Sequence, residues 1–286
     1  MEQKKFPRYS VLMSVYEKEN PAFLRKSVES MISQTVKPDE FILVVDGPVS
    51  DGLKKTVLSL EKEYSLKVVY LQQNKGLGAA LNFGLKHCSN EIIARMDSDD
   101  IAFEDRIEKQ LSLMIEEKAD IVSGTVLEFV DDIDNIISAK NVPQKHDDIL
   151  KWVKKRNPFN HPAVVFKKSV VLSCGGYSDY LFFEDYELFA NALSKGAKGA
   201  NLDSPCLFMR AGKDMYKRRG GIKYVKNMLR FYNRFAELGF CSFKEKILVV
   251  LPRIVVALLP VFLREGLYKK FLRGKGKEVE FNKKNS

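Results

Sequence analysis

Between residues 9 and 97, short apolar runs alternate with longer stretches of helical spacing. The segments "YSVLMSVY" (9–16), "FILVVDG" (41–47), "KVVYLQ" (67–72) and "EIIARMD" (91–97) read as strands. Between them, "PAFLRKSVESMISQ" (21–34), "SDGLKKTVLSLEKEY" (50–64) and "GAALNFGLKHC" (78–88) read as helices. Strands that are apolar almost throughout, separated by helices, predict a parallel sheet covered on both faces. Further on, 103–118 reads as a helix, 119–131 and 160–169 as strands, and 175–196 as a turn-rich loop entering a helix near Glu184. Residues 220–240 predict a basic amphipathic helix with Ile222, Val225, Leu229, Tyr232 and Ala236 along its apolar stripe.

Sheets of this kind hold ligands beyond the carboxyl ends of their strands. Here those ends carry Ser14 to Glu17, Asp46-Gly47, Gln73 to Lys75 and Asp97 to Asp99, so polar residues collect at one edge.

With 286 residues, 45% of them hydrophobic, the chain can bury the core of one large domain, or of one domain with an appendage. Its four cysteines lie far apart with no CxxC pair, which argues against a zinc site or disulfide framework and suits a reducing compartment. The opening residues "MEQKKFPRYSVLMSVY" lack a small-residue cleavage site and read as a strand rather than a signal peptide. The net charge of +10 is uneven: residues 207–286 hold 20 Lys and Arg against 6 Asp and Glu, whereas residues 1–206 hold 27 against 31. A mildly acidic body with a strongly basic tail points to an anionic partner, nucleic acid or membrane surface, unless the tail is a solvated basic face. The composition changes near 212.

Residues 247–263 are apolar apart from Arg253, with Pro252 and Pro260 expected to break the run. A spanning helix needs about 20 apolar residues and disfavours a central Arg, so this is a poor transmembrane segment. Flanked by Lys244, Lys246, Arg264, Lys269, Lys270 and Arg273, it suits the headgroup region of an anionic leaflet. Two short helices packed on the body are the alternative. The tail's aromatics lie in apolar stripes rather than on stacking platforms among cations, so no nucleic acid is expected.

The candidate chemistry centres on "EIIARMDSDD" (91–100). In an extended segment Asp97 and Asp99 share a side and Asp100 points away. Two convergent carboxylates raise each other's pKa, a cost that binding a hard divalent ion reverses. An EF-hand fails, because the fifth and sixth positions counted from Asp97 are Ile101 and Ala102. The chain has no GxxxxGK[ST], and "GLGAAL" follows the third strand with Leu81 where a dinucleotide fold needs its last glycine. A solvated acidic turn stays open on the cluster alone.

Taken together, "SVLMSVYEKE", "VVDG", "NKGLGAALNFGL", "ARMDSDD" and "FFEDYELFANAL" resemble, in order, the motifs of the family 2 inverting glycosyltransferases. The likeness covers roughly residues 8–210. "NPFNHPAVVFKKS" and "MYKRRGG" bring it nearer to bacterial enzymes that build capsule, exopolysaccharide and O-antigen repeat units, of the amylovoran-synthesis type. The resemblance implies an α/β, GT-A (Rossmann-like) domain over 1–212, with a mostly parallel sheet and helices on both faces. Its nucleotide-sugar half would be about 1–100 and its acceptor half about 101–212. Beyond the resemblance, the tail's own charge and apolar pattern makes residues 213–286 an expected helical, basic, membrane-surface-associating region.

The resemblance also implies roles. Asp99 would hold Mn²⁺ or Mg²⁺, and Asp97 would share the ion or reach the donor ribose. Asp46 would accept from uracil, although the chain reads Val45-Asp46-Gly47-Pro48 where many members carry two acids. Ser14, Val15, Tyr16 and Glu17 would line the nucleoside pocket, and Lys75 would touch base or phosphate, with Gly76 and Gly78 allowing close backbone approach. Asp185 would be the general base, with Glu184 shaping the acceptor pocket; the other reading of Asp185 is a carboxylate that merely starts a helix. His161 is either structural or close to the sugars. Arg218 and Arg219 would close over the diphosphate, unless they form an ordinary basic loop; Arg95 would steady the carboxylates. The implied reaction moves a hexose, with galactose or glucose as the guess, from a UDP-sugar to a lipid-diphosphate-linked saccharide at the cytoplasmic membrane face. Another nucleotide-sugar or nucleotidyl transfer on the same scaffold, and a non-enzymatic nucleic-acid or membrane-binding protein, are the alternatives.

Overall fold

A computed structural model describes residues 6–211, 220–260 and 263. The first half follows the hydrophobic pattern closely. Strands β1 (Tyr9–Val15), β2 (Glu40–Asp46), β3 (Lys67–Leu71) and β4 (Ile92–Asp97) alternate with helices α1 (Pro21–Ile32), α2 (Asp51–Tyr64) and α3 (Leu77–Leu85). The four strands are parallel, in the order β3-β2-β1-β4. Alternation places Val11, Met13, Leu43 and Val45 on one face with α1 and α2, and Leu12, Ile42 and Val44 on the other with α3. Asn20 and Ser50 cap α1 and α2 by accepting from Ala22 N–H and Leu53 N–H.

Beyond β4 the sheet becomes mixed. The remaining elements are β5 (Ile101–Ala102), α4 (Arg106–Glu116), β6 (Ile121–Val130), β7 (Asp132–Lys140), α5 (His146–Trp152), β8 (Val165–Lys167), α6 (Lys168–Ser173), α7 (Glu184–Ser194) and β9 (Gly199–Arg210). Sheet order continues β4-β8-β6-β9-β5, with β7 paired to β6. Only the β6–β9 pairing in this half is parallel. The strand expected over 160–169 shrinks to β8, because His161–Ala163 forms a 3₁₀ turn whose Pro162 has no N–H to give a ladder.

Helix α8 (Ile222–Glu237) forms as expected but rolls away from the anticipated stripe. Its buried side chains are Asn227, Met228, Phe231, Tyr232 and Phe235; Ile222 and Leu229 are exposed, and Tyr232 alone of the expected stripe is fully buried. The aromatics decide the roll. Phe231 stacks on Phe183 at 4.9 Å and lies 4.7 Å from Tyr186, joining α8 to the same core cluster as α7. Each such ring is worth roughly 1.5–3 kcal/mol of burial, and its stacked or edge contacts with the neighbouring rings add about 0.5–1.5 kcal/mol. Helix α9 (Phe243–Leu258) opens with a Ser242/Glu245 capping box and runs through Pro252, ending before Pro260. The first proline therefore does not break the apolar run as expected; an internal proline removes one hydrogen bond, and here the neighbouring turns hold the helix. Among the described residues, no helix is long and apolar enough to cross a membrane.

Candidate active site

Register brings the strand ends together. Ser14 on β1 lies between Val44 of β2 and Asp97 of β4, so the next residues, Tyr16 and Asp46, leave the sheet side by side. Ser14 and Tyr16 are half-buried and Glu17 is exposed in the turn closed by Glu19 N–H to Tyr16 O at 3.1 Å. Val15 departs from expectation: its side chain lies in the core at 1% exposure, so only its backbone can face a ligand.

Asp46 is buried and holds the following loop. Its Oδ1 accepts from Lys75 N–H at 2.8 Å and its Oδ2 from Gly76 N–H at 2.9 Å. Each oxygen keeps a second lone pair, so the carboxylate builds the pocket wall and can still accept from a base. The loop can approach because residue 47 is glycine: at φ 87° an added Cβ would lie 2.4 Å from Asn74 N. Lys75 itself is exposed. Of the two glycines after it, Gly76 supplies a positive φ in open space, whereas Gly78 brings α3 against the loop bearing Tyr177 and Glu184.

The acidic cluster rests on buried cations. Arg95, within β4 and 1% exposed, grips both oxygens of Asp97, with Nη1 3.0 Å from Oδ2. A second buried guanidinium, Arg106, donates to Arg95 O at 2.8 Å. Asp97 and Asp99 are half-buried at the surface of the cluster, while Asp100 turns inward and accepts from Arg210 N–H at 2.9 Å. Burial, then repulsion from Asp97, pushes the Asp99 carboxyl up to about 6. Asp100 is raised well above the usual carboxylate range by burial and by both neighbours, and its Oδ2 has no hydrogen-bond partner. The site is short of positive charge despite Arg95.

Opposite this edge, α7 starts at Glu184-Asp185. Asp185 Oδ2 accepts from Asn157 Nδ2 at 2.9 Å and Oδ1 from Tyr186 N–H at 2.8 Å. Burial raises its carboxyl; those two donors and Arg95 pull the other way. Glu184 is raised by burial and then by Asp185, and its Oε2 is buried without a partner. Phe182, just before, holds φ 74°, a strained conformation for a bulky residue. Asn82 of α3 ties down the loop through Tyr177 O and Tyr177 N–H at 2.7 and 2.8 Å. Arg95 lowers the pKa of Asp99, Asp100, Glu184 and Asp185 alike, so one buried guanidinium serves both acidic groups.

His161 is buried and shares a 3.0 Å hydrogen bond with the Tyr177 hydroxyl; burial, then Arg95, lowers its pKa well below the usual imidazole value. Arg218 and Arg219 lie outside the described residues. Sequence reasoning missed Asn157 and Arg210. Asn157 stands in the quoted "NPFNHP" but its partner is 28 residues away. Arg210 donates to Asp99 O at 3.2 Å and Asp131 O at 3.3 Å and lies 3.6 Å from the Phe23 ring, contacts that no local pattern signals. Cavities of about 200 and 460 Å³ beside α6–α7 and α4 contain none of these residues.

The model of glycosyl transferase family 2 matches residues 10–175. The chain belongs to this family. Family membership covers the strand edges and the acidic cluster directly; α7 with Asp185 follows the matched span. Across 268 residues the chain is 39% identical to an Escherichia coli UDP-Gal:alpha-D-GlcNAc-diphosphoundecaprenol beta-1,3-galactosyltransferase, covering 93% of this chain and 97% of that one. It is also 39% identical to the amylovoran biosynthesis glycosyltransferase AmsE of Erwinia amylovora, covering 93% and 100%. Its fold is similar to S. aureus TarS 1–349 in complex with UDP-GlcNAc (TM-score 0.65, 16% identity, 92% of this chain and 76% of that one). The Pyrobaculum calidifontis mannosyltransferase PcManGT, in complex with GDP-Man and Mn2+, gives TM-score 0.64 at 16% identity, over 93% and 81%. The family 2 chain is thus a glycosyltransferase with the GT-A fold.

Proposed function

We propose that this glycosyltransferase moves a hexose, with inversion, from a UDP-sugar to a saccharide carried on a lipid diphosphate at a membrane surface. The observation that carries this reading is that two acidic groups, 97–100 and 184–185, share the field of Arg95, whose buried guanidinium grips Asp97. One group suits a cation and diphosphate; the other suits an acceptor hydroxyl. Tyr16, the Asp46-built loop and Lys75 would line the nucleoside, which the convergence of β1, β2 and the 73–76 loop supports.

The residues present fit a divalent ion. Asp99 is a carboxylate raised by burial and by like charge, the condition a dication relieves. No cluster of three metal-binding side chains occurs among the described residues, so an ion held here would need substrate phosphates and water to complete its shell. Asp99 would hold Mn²⁺ or Mg²⁺; Asp97, fixed by Arg95, would face the ribose or support the ion. Such an ion supplies Lewis-acid stabilisation of the departing diphosphate.

For its part, Asp185 accepts the proton of the attacking hydroxyl. Asn157 and Tyr186 N–H orient its carboxylate, each leaving its oxygen a further lone pair for that proton. Glu184, beside it, shapes the acceptor side. The phosphate-carrying lipid named in the Escherichia coli relative makes a diphosphate-linked lipid the acceptor class to offer here, with UDP-galactose the first donor and UDP-glucose the second. Calorimetric titration with UDP tests the donor half. Binding should need Mn²⁺ or Mg²⁺ and weaken at least tenfold in Asp99→Asn. Metal-independent binding of equal strength in both proteins would remove Asp99 from the site.

A further inference from the structure

We propose that α9 is the membrane-docking element, burying its outward apolar face in the headgroup region of an anionic bilayer. This rests on the reading of a lipid-linked acceptor and names the surface that meets the lipid. The helix is apolar on both of its faces, unlike an ordinary water-facing element. Its inward face packs Val250, Ala257 and Ile254 on the core, and two cations lie along that side: Lys246 Nζ donates to Asn233 Oδ1 at 2.8 Å, and Arg253 donates to Lys155 O at 2.9 Å with its guanidinium 5.4 Å from the Tyr232 ring. Its outward face is apolar, with Ile247 46%, Leu248 73%, Leu251 60%, Val255 57% and Leu258 56% exposed. At 3.6 residues per turn these five form one stripe along about three turns.

A contiguous apolar stripe on an otherwise polar surface marks an interaction site. Arg253 is the residue that would bar this segment from lipid if it pointed outward. Because it is turned in, the outward stripe from 247 to 258 contains no charge. Sixteen residues rise about 24 Å, short of the hydrocarbon thickness, so the helix can lie in the interface but not cross it.

The charges around the stripe choose lipid over a protein partner. Helix α8 runs antiparallel beside α9, tied by Gly221 N–H to Ala257 O at 3.0 Å. It exposes Lys223 and Lys226, with Ile222 and Leu229 among them, whereas its Arg230 is paired with Asp179 at 3.2 Å; Lys244 is exposed beside Glu245 at the first turn of α9. The sequence that follows, 264–286, holds eight Lys and Arg against three Glu. An apolar stripe bordered by cations is the chemistry of an interfacial helix on an anionic leaflet. On the other side of α8, Phe231 and Phe235 pack under Tyr186, beside the candidate base, so docking through α9 would hold the acceptor half of the site near the lipid surface.

The test is flotation of the full chain with phosphatidylglycerol/phosphatidylethanolamine vesicles and with phosphatidylcholine vesicles. Wild type should float with the anionic vesicles, at least tenfold less with phosphatidylcholine, and less as salt rises. Leu248→Glu/Leu251→Glu/Val255→Glu should lose flotation at least tenfold while retaining its melting temperature, UDP binding and transfer to a lipid-free acceptor. The milder Leu251→Gln/Val255→Gln should fall between, which covers misfolding of the triple variant. Undiminished flotation of a folded triple variant, or none by wild type, would overturn the proposal. So would a wild-type dimer that the substitutions convert to monomer without changing flotation, since the stripe would then be an interface between copies. Flotation needs no catalysis, so wild type that floats without binding UDP would sink the donor-site reading and leave the docking helix standing.

Discussion

Arg95 and Arg253 both interrupt apolar runs, and in the folded chain they do opposite things. Arg95 is sealed inside β4 and grips Asp97 through both nitrogens, with Asp99, Glu184 and Asp185 in its field. Arg253 stays partly exposed, with a backbone carbonyl and an aromatic ring for partners. An arginine facing several carboxylates sets the charge of a site. One facing a carbonyl and a ring anchors a helix by its polar side and so decides which side is left for lipid. A buried cation is stabilising only as long as its partners stay, and the asymmetry of partners makes the two positions differ sharply on mutation.

The largest effect expected is at Asp185, in the second acidic group within the field of Arg95. Asp185→Asn should cut transfer by about 10²–10⁴-fold, the range for loss of a general base, with UDP binding within twofold of wild type. Loss of UDP binding in that variant would move Asp185 out of the acceptor side. Next comes Arg95→Met, which strands Asp97 and its neighbours without a counter-charge. It should destabilise the fold by about 3–5 kcal/mol in urea titrations, a change that Arg95→Lys cannot fully rescue because one ammonium cannot span both oxygens.

Asn157→Ala is expected to act through Asp185. Asn157 stabilises the charged carboxylate, so removing it raises a pKa that burial has already raised. A base works deprotonated; the acid limb of the rate profile should therefore move up by about one to two pH units, given roughly 1.5–3 kcal/mol for a hydrogen bond to a charged group. An unshifted limb with lowered rate would mean Asn157 shapes the loop without touching the base. The smallest effect is Arg253→Met, worth about 1 kcal/mol of stability because a cation–π contact and one hydrogen bond are lost from a partly solvated place. A cost equal to that of Arg95→Met would erase the contrast.

Much of the first hundred residues was legible in the sequence because each signal there is local. Val11, Met13 and their neighbours alternate between two covered faces, and Asn20 and Ser50 announce the helices they cap. Alternation reaches only to Asp97, where β4 ends; Ser98 and Asp99 form a turn, so the period of 2 expected for 97 to 99 does not place Asp99. Beyond residue 100 the signals become long-range. β7 is a solvent-facing edge strand without alternation, and β9 is bent by two register shifts against β6, so neither carries a simple period. The roll of α8 depended on Phe183 and Tyr186, about 45 residues upstream, and its spacing permitted either face. The proline in α9 was read as a break because local rules cannot see what the neighbouring turns tolerate. Asn157, Arg106 and Arg210 matter through partners that only the fold supplies.

The central claim is that the two acidic groups in the field of Arg95 serve one transfer, and UDP release tests it most directly. The full chain, with Mn²⁺ or Mg²⁺, would be given a panel of UDP-hexoses and a lipid-diphosphate saccharide, with Asp99→Asn and Asp185→Asn in parallel. The account predicts release with one donor, dependent on both metal and acceptor, abolished by either substitution, and a product of inverted anomeric configuration. Acceptor-dependent release that persists in Asp185→Asn, or a product with retained configuration, would contradict it.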